Sequence, residues 1–181
     1  MPTILTHAVS GLAIGNLYRS PRPRGFWMWT AVCAMLPDAD VIAFPLGIPY
    51  GRLLGHRGLT HSLVFAAAIG ALAAWRWGRG RARWALFLHF FVVTASHGFL
   101  DAFTNGGLGV AFFAPFDDTR YFFPWRPIQV SPIGVGFFIA RDVDGQSYGF
   151  RVLASEFWWV WLPSAVVALA GWALRARRSA R

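Results

Sequence analysis

Apolar runs separated by arginine-rich breaks organise this chain. The first, Ile4 to Leu17, ends at Arg19, Pro21, Arg22, Pro23 and Arg24, and no basic residue precedes it, unlike a cleaved signal peptide. The second, Phe26 to Leu36, is about eleven residues long and is closed by Pro37, so it spans hydrocarbon only with its flanks, or as a tilted or broken helix. Leu59 to Trp75 reads as a helix rich in alanine and leucine that runs into Arg76, Arg79, Arg81 and Arg83. Trp84 to Leu100 is a good span. So is Phe157 to Leu174, with Trp158, Trp159 and Trp161 grouped at its start as an interfacial aromatic belt places them. Between them, residues 102–156 are punctuated by proline and glycine, and their apolar runs are too short to span; an interfacial cap of short helices or a hairpin is expected. No repeat of fixed period is visible. The pattern predicts an all-α protein, a polytopic membrane helical bundle of about five segments with an interfacial cap, forming one domain over residues 1–181.

Composition narrows this further. A hydrophobic share of 56% and a mean hydropathy of +0.44 are too apolar for a soluble domain of 181 residues. The formal charge of +9 comes entirely from arginine, yet no basic helix or aromatic-and-arginine repeat of a nucleic-acid module is present, so no nucleic acid is expected as a partner. Cys33, the single cysteine, has no partner for an internal disulfide and reads as a small buried hydrophobe.

The arginines also orient the bundle. Eleven of them fall in three segments, Arg19 to Arg24, Arg76 to Arg83 and Arg175 to Arg181, which contain no acid. The positive-inside bias makes these segments cytoplasmic, with the N-terminus external and the C-terminus cytoplasmic. His7, Asp38, Asp40, His56, His61, His97 and Asp101 then all lie near the external surface, although none of them was used to set the topology. Neutral imidazole and carboxylate are the ligands that Zn²⁺ and similar ions accept, and ionisable groups are costly near hydrocarbon.

His97 and Asp101, at i and i+4, share one helical face. Pro37-Asp38-Ala39-Asp40 offers two carboxylates just past a helix end, where irregular backbone can turn both inward. In Gly55-His56-Arg57-Gly58-Leu59-Thr60-His61-Ser62, Thr60 is placed to cap the following helix, with His61 in its first turn and His56 on the loop before. His89, eight residues before His97 and toward the cytoplasmic half of its span, is set aside as a packing or hydrogen-bonding residue. Asp117, Asp118, Arg120, Arg126, Arg141 and Asp142 read as surface ion pairs of the cap. Arg57, inside the histidine cluster, suits an anionic substrate such as phosphate.

The order His7, Pro37-Asp38-Ala39-Asp40, His56-Arg57-Gly58-Leu59-Thr60-His61-Ser62 and His97-Gly98-Phe99-Leu100-Asp101 resembles the membrane-bound metal-dependent hydrolases also described as LexA-binding, inner-membrane-associated hydrolases. The resemblance covers His7 to about Pro132, including Phe113-Ala114-Pro115-Phe116 and Phe122-Phe123-Pro124-Trp125. More distantly, the spacing is similar to zinc-dependent phospholipase C, an all-helical enzyme with a multinuclear zinc site. That enzyme binds metal through a terminal tryptophan amine, whereas this chain offers His7. The resemblance implies a bacterial inner-membrane protein with a phospholipase C-like metal-site arrangement at the periplasmic face. The substrate it implies is a membrane lipid or lipid-linked phosphoester, and any LexA-binding surface would fall on the cytoplasmic arginine loops.

Taken together, these readings give a membrane-embedded hydrolase holding one or two Zn²⁺, with Mn²⁺ or Fe as alternatives. The metal ligands are His7, Asp38, His56, His61, His97 and Asp101, Asp40 is an orienting residue or general base, and Arg57 neutralises the substrate anion. The alternative is a non-catalytic metal-binding protein with a structural, sensor or interaction role. A transporter would need ionisable residues through the depth of the bundle, and only His89 meets that demand.

Overall fold

The computed structural model describes residues 1–133, 141, 145 and 147–179; Asp142 and Arg181 lie outside this set. Among the described residues the chain forms five helices and no strand. These are α1 (Ile4–Gly15), α2 (Phe26–Met35), α3 (Leu63–Trp77), α4 (Ala82–Ala102) and a long last helix. The last helix comprises α5 (Tyr148–Glu156), a π turn at Phe157–Trp161 and α6 (Leu162–Ser179). Short 3-10 helices cover Leu36–Ala43 and Leu59–His61. Three stretches are long and apolar enough to cross a membrane, Phe26–Ala43, Ala82–Ala102 and Tyr148–Arg177, while α1 and α3 are shorter apolar helices. The 21 residues of α4 rise about 31 Å, the thickness of a hydrocarbon core.

Small residues set the packing. A Cβ at Gly11 would sit 2.5 Å from Ala34 Cβ, so α1 and α2 approach at the limit that glycine allows. Tyr18, Phe26, Cys33, Ala34, Ala73, Leu86, Phe90 and Val93 form the core between α1, α2, α3 and α4. His89 belongs to this core, as expected of a packing residue: its Nε2 lies 2.9 Å from Thr30 Oγ1 and its ring stacks on Phe26. The last helix packs on α1 and is tied at both ends. Arg175 donates to the carbonyl and Oδ1 of Asn16 at one end. At the other, buried Glu156 accepts from the Thr3 backbone and from the hydroxyls of Thr3 and Thr6, and Trp161 Nε1 donates to Thr6 Oγ1.

The chain departs from the sequence pattern in four places. The second run keeps α-helical form to Met35, just before Pro37, and continues as a 3-10 helix to Ala43, so it reaches spanning length only with its flank, as expected, but that flank is not irregular. Asp38 and Asp40 therefore sit on regular helical backbone. The helix after the histidine cluster starts at Leu63: Ser62 caps it, accepting from Phe65 N at 3.1 Å, while Thr60 turns to Asp40 and His61 closes the preceding 3-10 turn. The last helix begins at Tyr148, nine residues before the apolar run, so part of the expected cap is helical. The remaining described cap, to residue 133, has neither helix nor strand, only isolated pairings such as Val110 with Tyr121 and Thr104 with Ile128.

Candidate metal centre

Antiparallel packing brings four separate stretches to one end of the bundle: the start of α1, the 3-10 turn after α2, the 3-10 turn before α3 and the end of α4. His97 and Asp101, one helical turn apart, are fully buried. Asp38 Oδ1 lies 3.1 Å from His97 Nε2 and 3.6 Å from His61 Nε2. Asp101 Oδ2 lies 3.5 Å from His61 Nε2, and its Oδ1 lies 3.5 Å from His7 Nε2. The rings of His7 and His97 stack at 3.5 Å. One ligand atom from each of Asp38, His61, His97 and Asp101 falls within 4.8 Å of the others.

The protonation pattern explains why this is unusual. His97 Nδ1 lies 2.7 Å from the Ala34 carbonyl, which only accepts, so this nitrogen carries a proton and Nε2 is turned toward Asp38. Nε2 of His7, His61 and His97 and both oxygens of Asp38 and Asp101 are buried without a hydrogen-bond partner. Imidazole nitrogens and carboxylate oxygens buried against one another are costly unless a proton or a metal cation sits between them. Tetrahedral Zn²⁺ with bonds of about 2.0–2.2 Å separates its ligand atoms by about 3.3–3.6 Å, close to the spacing seen here. The donor set fits such an ion.

Behind these donors, Asp40 gathers a second group. Its Oδ1 lies 2.7 Å from His56 Nδ1. Its Oδ2 accepts from Thr60 Oγ1 at 2.7 Å and from the Arg57 backbone at 3.1 Å, and lies 3.1 Å from His61 Nδ1. His56, Thr60 and the Arg57 backbone thus engage the carboxylate directly, and His61 Nδ1 lies 3.1 Å from both Asp40 Oδ2 and Thr60 Oγ1. Of the expected ligands, Asp38, His61, His97 and Asp101 thus converge, with His7 against Asp101 and His97, while His56 belongs to a second buried group with Asp40 and His61 whose ligand atoms also lie within 4.8 Å of one another. Burial alone would lower the His61 pKa, but the carboxylates of Asp101, Asp38 and Asp40 outweigh it and raise it to about 10.

Arg57 is fully buried and turned inward. Its Nε pairs with Asp101 Oδ2 at 2.8 Å, Nη1 donates to the Gly106 carbonyl at 2.9 Å and Nη2 to Thr104 Oγ1 at 3.0 Å. The Nε contact is an ion pair that misses hydrogen-bond alignment, since both atoms lack a hydrogen-bond partner. The side chain that the sequence suggests for a substrate anion therefore spends its charge on a carboxylate of the centre. Its backbone has φ of 61°, a left-handed conformation that a non-glycine residue rarely adopts without surrounding support. That support includes Arg120, expected in a surface ion pair. Instead it donates to the carbonyls of His56, Tyr50, Arg52 and Gly109 at 3.1–3.4 Å and clamps the loop that carries His56 and Arg57.

Sequence reading missed the supporting residues. Thr104, Arg120 and Glu156 bind partners remote in the chain, and the Ala34 carbonyl that sets the His97 tautomer has no side-chain signature. Gly98 had a legible signal, being a glycine between His97 and Asp101 on a helix. A Cβ there would lie 2.8 Å from the His61 carbonyl, so only glycine lets the 3-10 turn approach α4.

The fold and site define a helical membrane protein with a buried histidine–aspartate centre at one end of its bundle. The chain belongs to the YdjM inner membrane protein family, which matches residues 1–180. It is 42% identical over 172 residues to inner membrane protein YbcI of Escherichia coli (strain K12), a match covering 92% of this chain and 95% of that one. No solved structure matches it. Both descriptions speak of the inner membrane, in line with the hydropathy, and neither speaks of hydrolysis, LexA or a phospholipase.

Proposed function

We propose that this protein is a membrane-embedded metal-dependent hydrolase acting on a phosphoester of a lipid or lipid-linked head group. The observation that carries this reading is a set of buried atoms without a hydrogen-bond partner, Nε2 of His7, His61 and His97 and the carboxylate oxygens of Asp38 and Asp101, meeting at 3.1–3.6 Å, with Asp101 Oδ2 also ion-paired to Arg57. His7 Nε2, 3.5 Å from Asp101 Oδ1, adds a candidate beside the four donors that lie together, one more than a closed structural site needs. Mixed imidazole and carboxylate donors suit Zn²⁺ first, then Mn²⁺ or Fe. An ion held there supplies Lewis acidity toward water or a phosphoryl oxygen.

The protein's own groups have separable roles. Asp40, engaged by Thr60 and the Arg57 backbone, orients His61 and His56 through their Nδ1 atoms and is a positioning residue rather than a base. His56 turns Nδ1 to Asp40 Oδ1, an oxygen that only accepts, so the carboxylate fixes the orientation of that ring. Arg57 fixes Asp101 and offsets its charge. With the arginine segments cytoplasmic, the centre faces the outer leaflet, where lipid head groups are the available phosphoesters.

The burial of every donor favours one other reading, a structural ion that locks the bundle end. Purified protein should contain stoichiometric metal by elemental analysis and release product from labelled phospholipids in a chelator-sensitive way. Bound metal without turnover on any phosphoester supplied supports the structural reading, and chelator-insensitive turnover removes the metal from the reaction.

A further inference from the structure

An aliphatic cleft of about 330 Å³ opens beside the centre, within the range of ligand sites. One wall is the 3-10 turn Leu36–Ala43, with Ile42 and Ala39 on it; the other is the loop to Leu59, with Leu46, Leu53 and Leu54. Asp40 and Thr60 are its only polar lining residues, and the 2.7 Å bond between them joins the two walls. Asp40 in turn contacts His61, whose other nitrogen faces Asp38 and Asp101. Only two layers of side chain separate the cleft from the donor set.

We infer that this cleft seats the hydrocarbon chain of the lipid whose head group the centre acts on, an inference that rests on the hydrolase reading. A polar ligand would lose its hydration against these walls and find only Asp40 and Thr60, whose bonding capacity is largely used internally. A hydrocarbon chain loses nothing. Ile42, Leu46 and Leu54 are 65%, 70% and 60% exposed, so the mouth of the cleft presents aliphatic surface of the kind that meets lipid in a membrane protein. The cleft also continues from the end of the candidate span Phe26–Ala43, so a chain can enter sideways from the bilayer while its head group stays at the bundle end. Two other apolar clefts, around Trp75 and Trp84 and around Trp29 and Trp77, include Arg83 and Arg76 but no candidate ligand. They serve as internal controls.

The test uses the full chain in nanodiscs of phosphatidylethanolamine and phosphatidylglycerol, doped with phosphatidylglycerol carrying a diazirine midway along one acyl chain. Illumination and peptide mass spectrometry should concentrate adducts on Ile42, Leu46 and Leu54 over the Trp75–Trp84 cleft. Ala39→Trp, a change at an exposed lining position, should reduce those adducts to background while metal content stays at the wild-type level. Adducts spread evenly over the three clefts, or unchanged in a metal-replete Ala39→Trp protein, overturn the inference. The wild-type adduct map stands on its own if the variant does not fold. Cleft adducts without any phospholipid hydrolysis would keep the acyl seat and sink the hydrolase reading; hydrolysis with evenly spread adducts would do the reverse.

Discussion

Replacing Asp40 by asparagine preserves shape and removes charge at the residue that orients the donors. The carboxylate serves His56 Nδ1 with Oδ1, and Thr60 Oγ1, the Arg57 backbone and His61 Nδ1 with Oδ2. An amide has one acceptor oxygen. Placing it toward Thr60, Arg57 and His61 keeps three donors satisfied and sets the NH₂ against His56, whose ring must then change tautomer; the reverse placement leaves three donors facing an NH₂. The first arrangement wins, and the loss is one charge-assisted bond with weakening of the others, about 1.5–3 kcal/mol. Because these bonds aim His61 Nε2 at Asp38 and Asp101, the loss should appear as a metal affinity about 10–100-fold lower, with the site still filling at saturation. That range corresponds to about 1.4–2.7 kcal/mol. Competition titration against a fluorescent zinc chelator, with circular dichroism to confirm helix content, measures it. Affinity unchanged from wild type, or loss as complete as in Asp38→Ala, would refute an orienting role for Asp40.

Three further outcomes are expected. Asp38→Ala should abolish bound metal, whereas His89→Ala, in the core against Thr30 and Phe26, should cost about 0.5–3 kcal/mol of stability and leave metal content intact; equal metal loss in both means the donors are wrongly grouped. Gly98→Ala touches no ligand, yet its methyl would meet the His61 carbonyl at 2.8 Å, so stability should fall by about 1–3 kcal/mol and zinc affinity with it, read by thermal unfolding and chelator competition. A His61 pKa near 10 means that zinc must displace a proton at neutral pH. Affinity should therefore rise about tenfold per pH unit from neutrality and level off above the pKa, with proton release detectable by calorimetry in buffers of different ionisation enthalpy. The ion-free chain has the opposite dependence: a raised folded pKa stabilises it fully below the ordinary value of 6.5, and this is lost as pH rises through about 10.

Most of the residues that cluster were legible because each announces itself locally, His7 being the exception that only its shared face suggested. His97 and Asp101 share a helical face by spacing alone, and two histidines with an arginine between apolar runs have few purely structural uses. Helix limits were less legible. Pro37 reads as a stop because the sequence does not show that a tighter turn begins there. Ser62 and Thr60 are both capable caps, and Asp40, distant in the chain, decides between them by engaging the Thr60 hydroxyl. The direction of Arg57 was hidden for a similar reason: its partner Asp101 lies on another helix, and only packing shows that the guanidinium is consumed inside the protein. Glu156 sits alone beside a tryptophan-rich run, with nothing nearby in sequence to foretell that it ties the last helix to α1.

The inward turn of Arg57 also sets the electroneutrality of the bundle end. Among the groups in direct contact with the donors, Asp38, Asp40 and Asp101 contribute three negative charges and Arg57 one permanent positive charge, a deficit of two within this set when the imidazoles are neutral; buried Glu156 lies outside it, on Thr3 and Thr6. A single dication cancels that deficit; without it, a proton on His61 makes up half. A second dication would strand two positive charges where solvent does not reach, unless an anion arrived with it. Within that set one dication would balance the charge, and a second would call for an anionic companion such as phosphate.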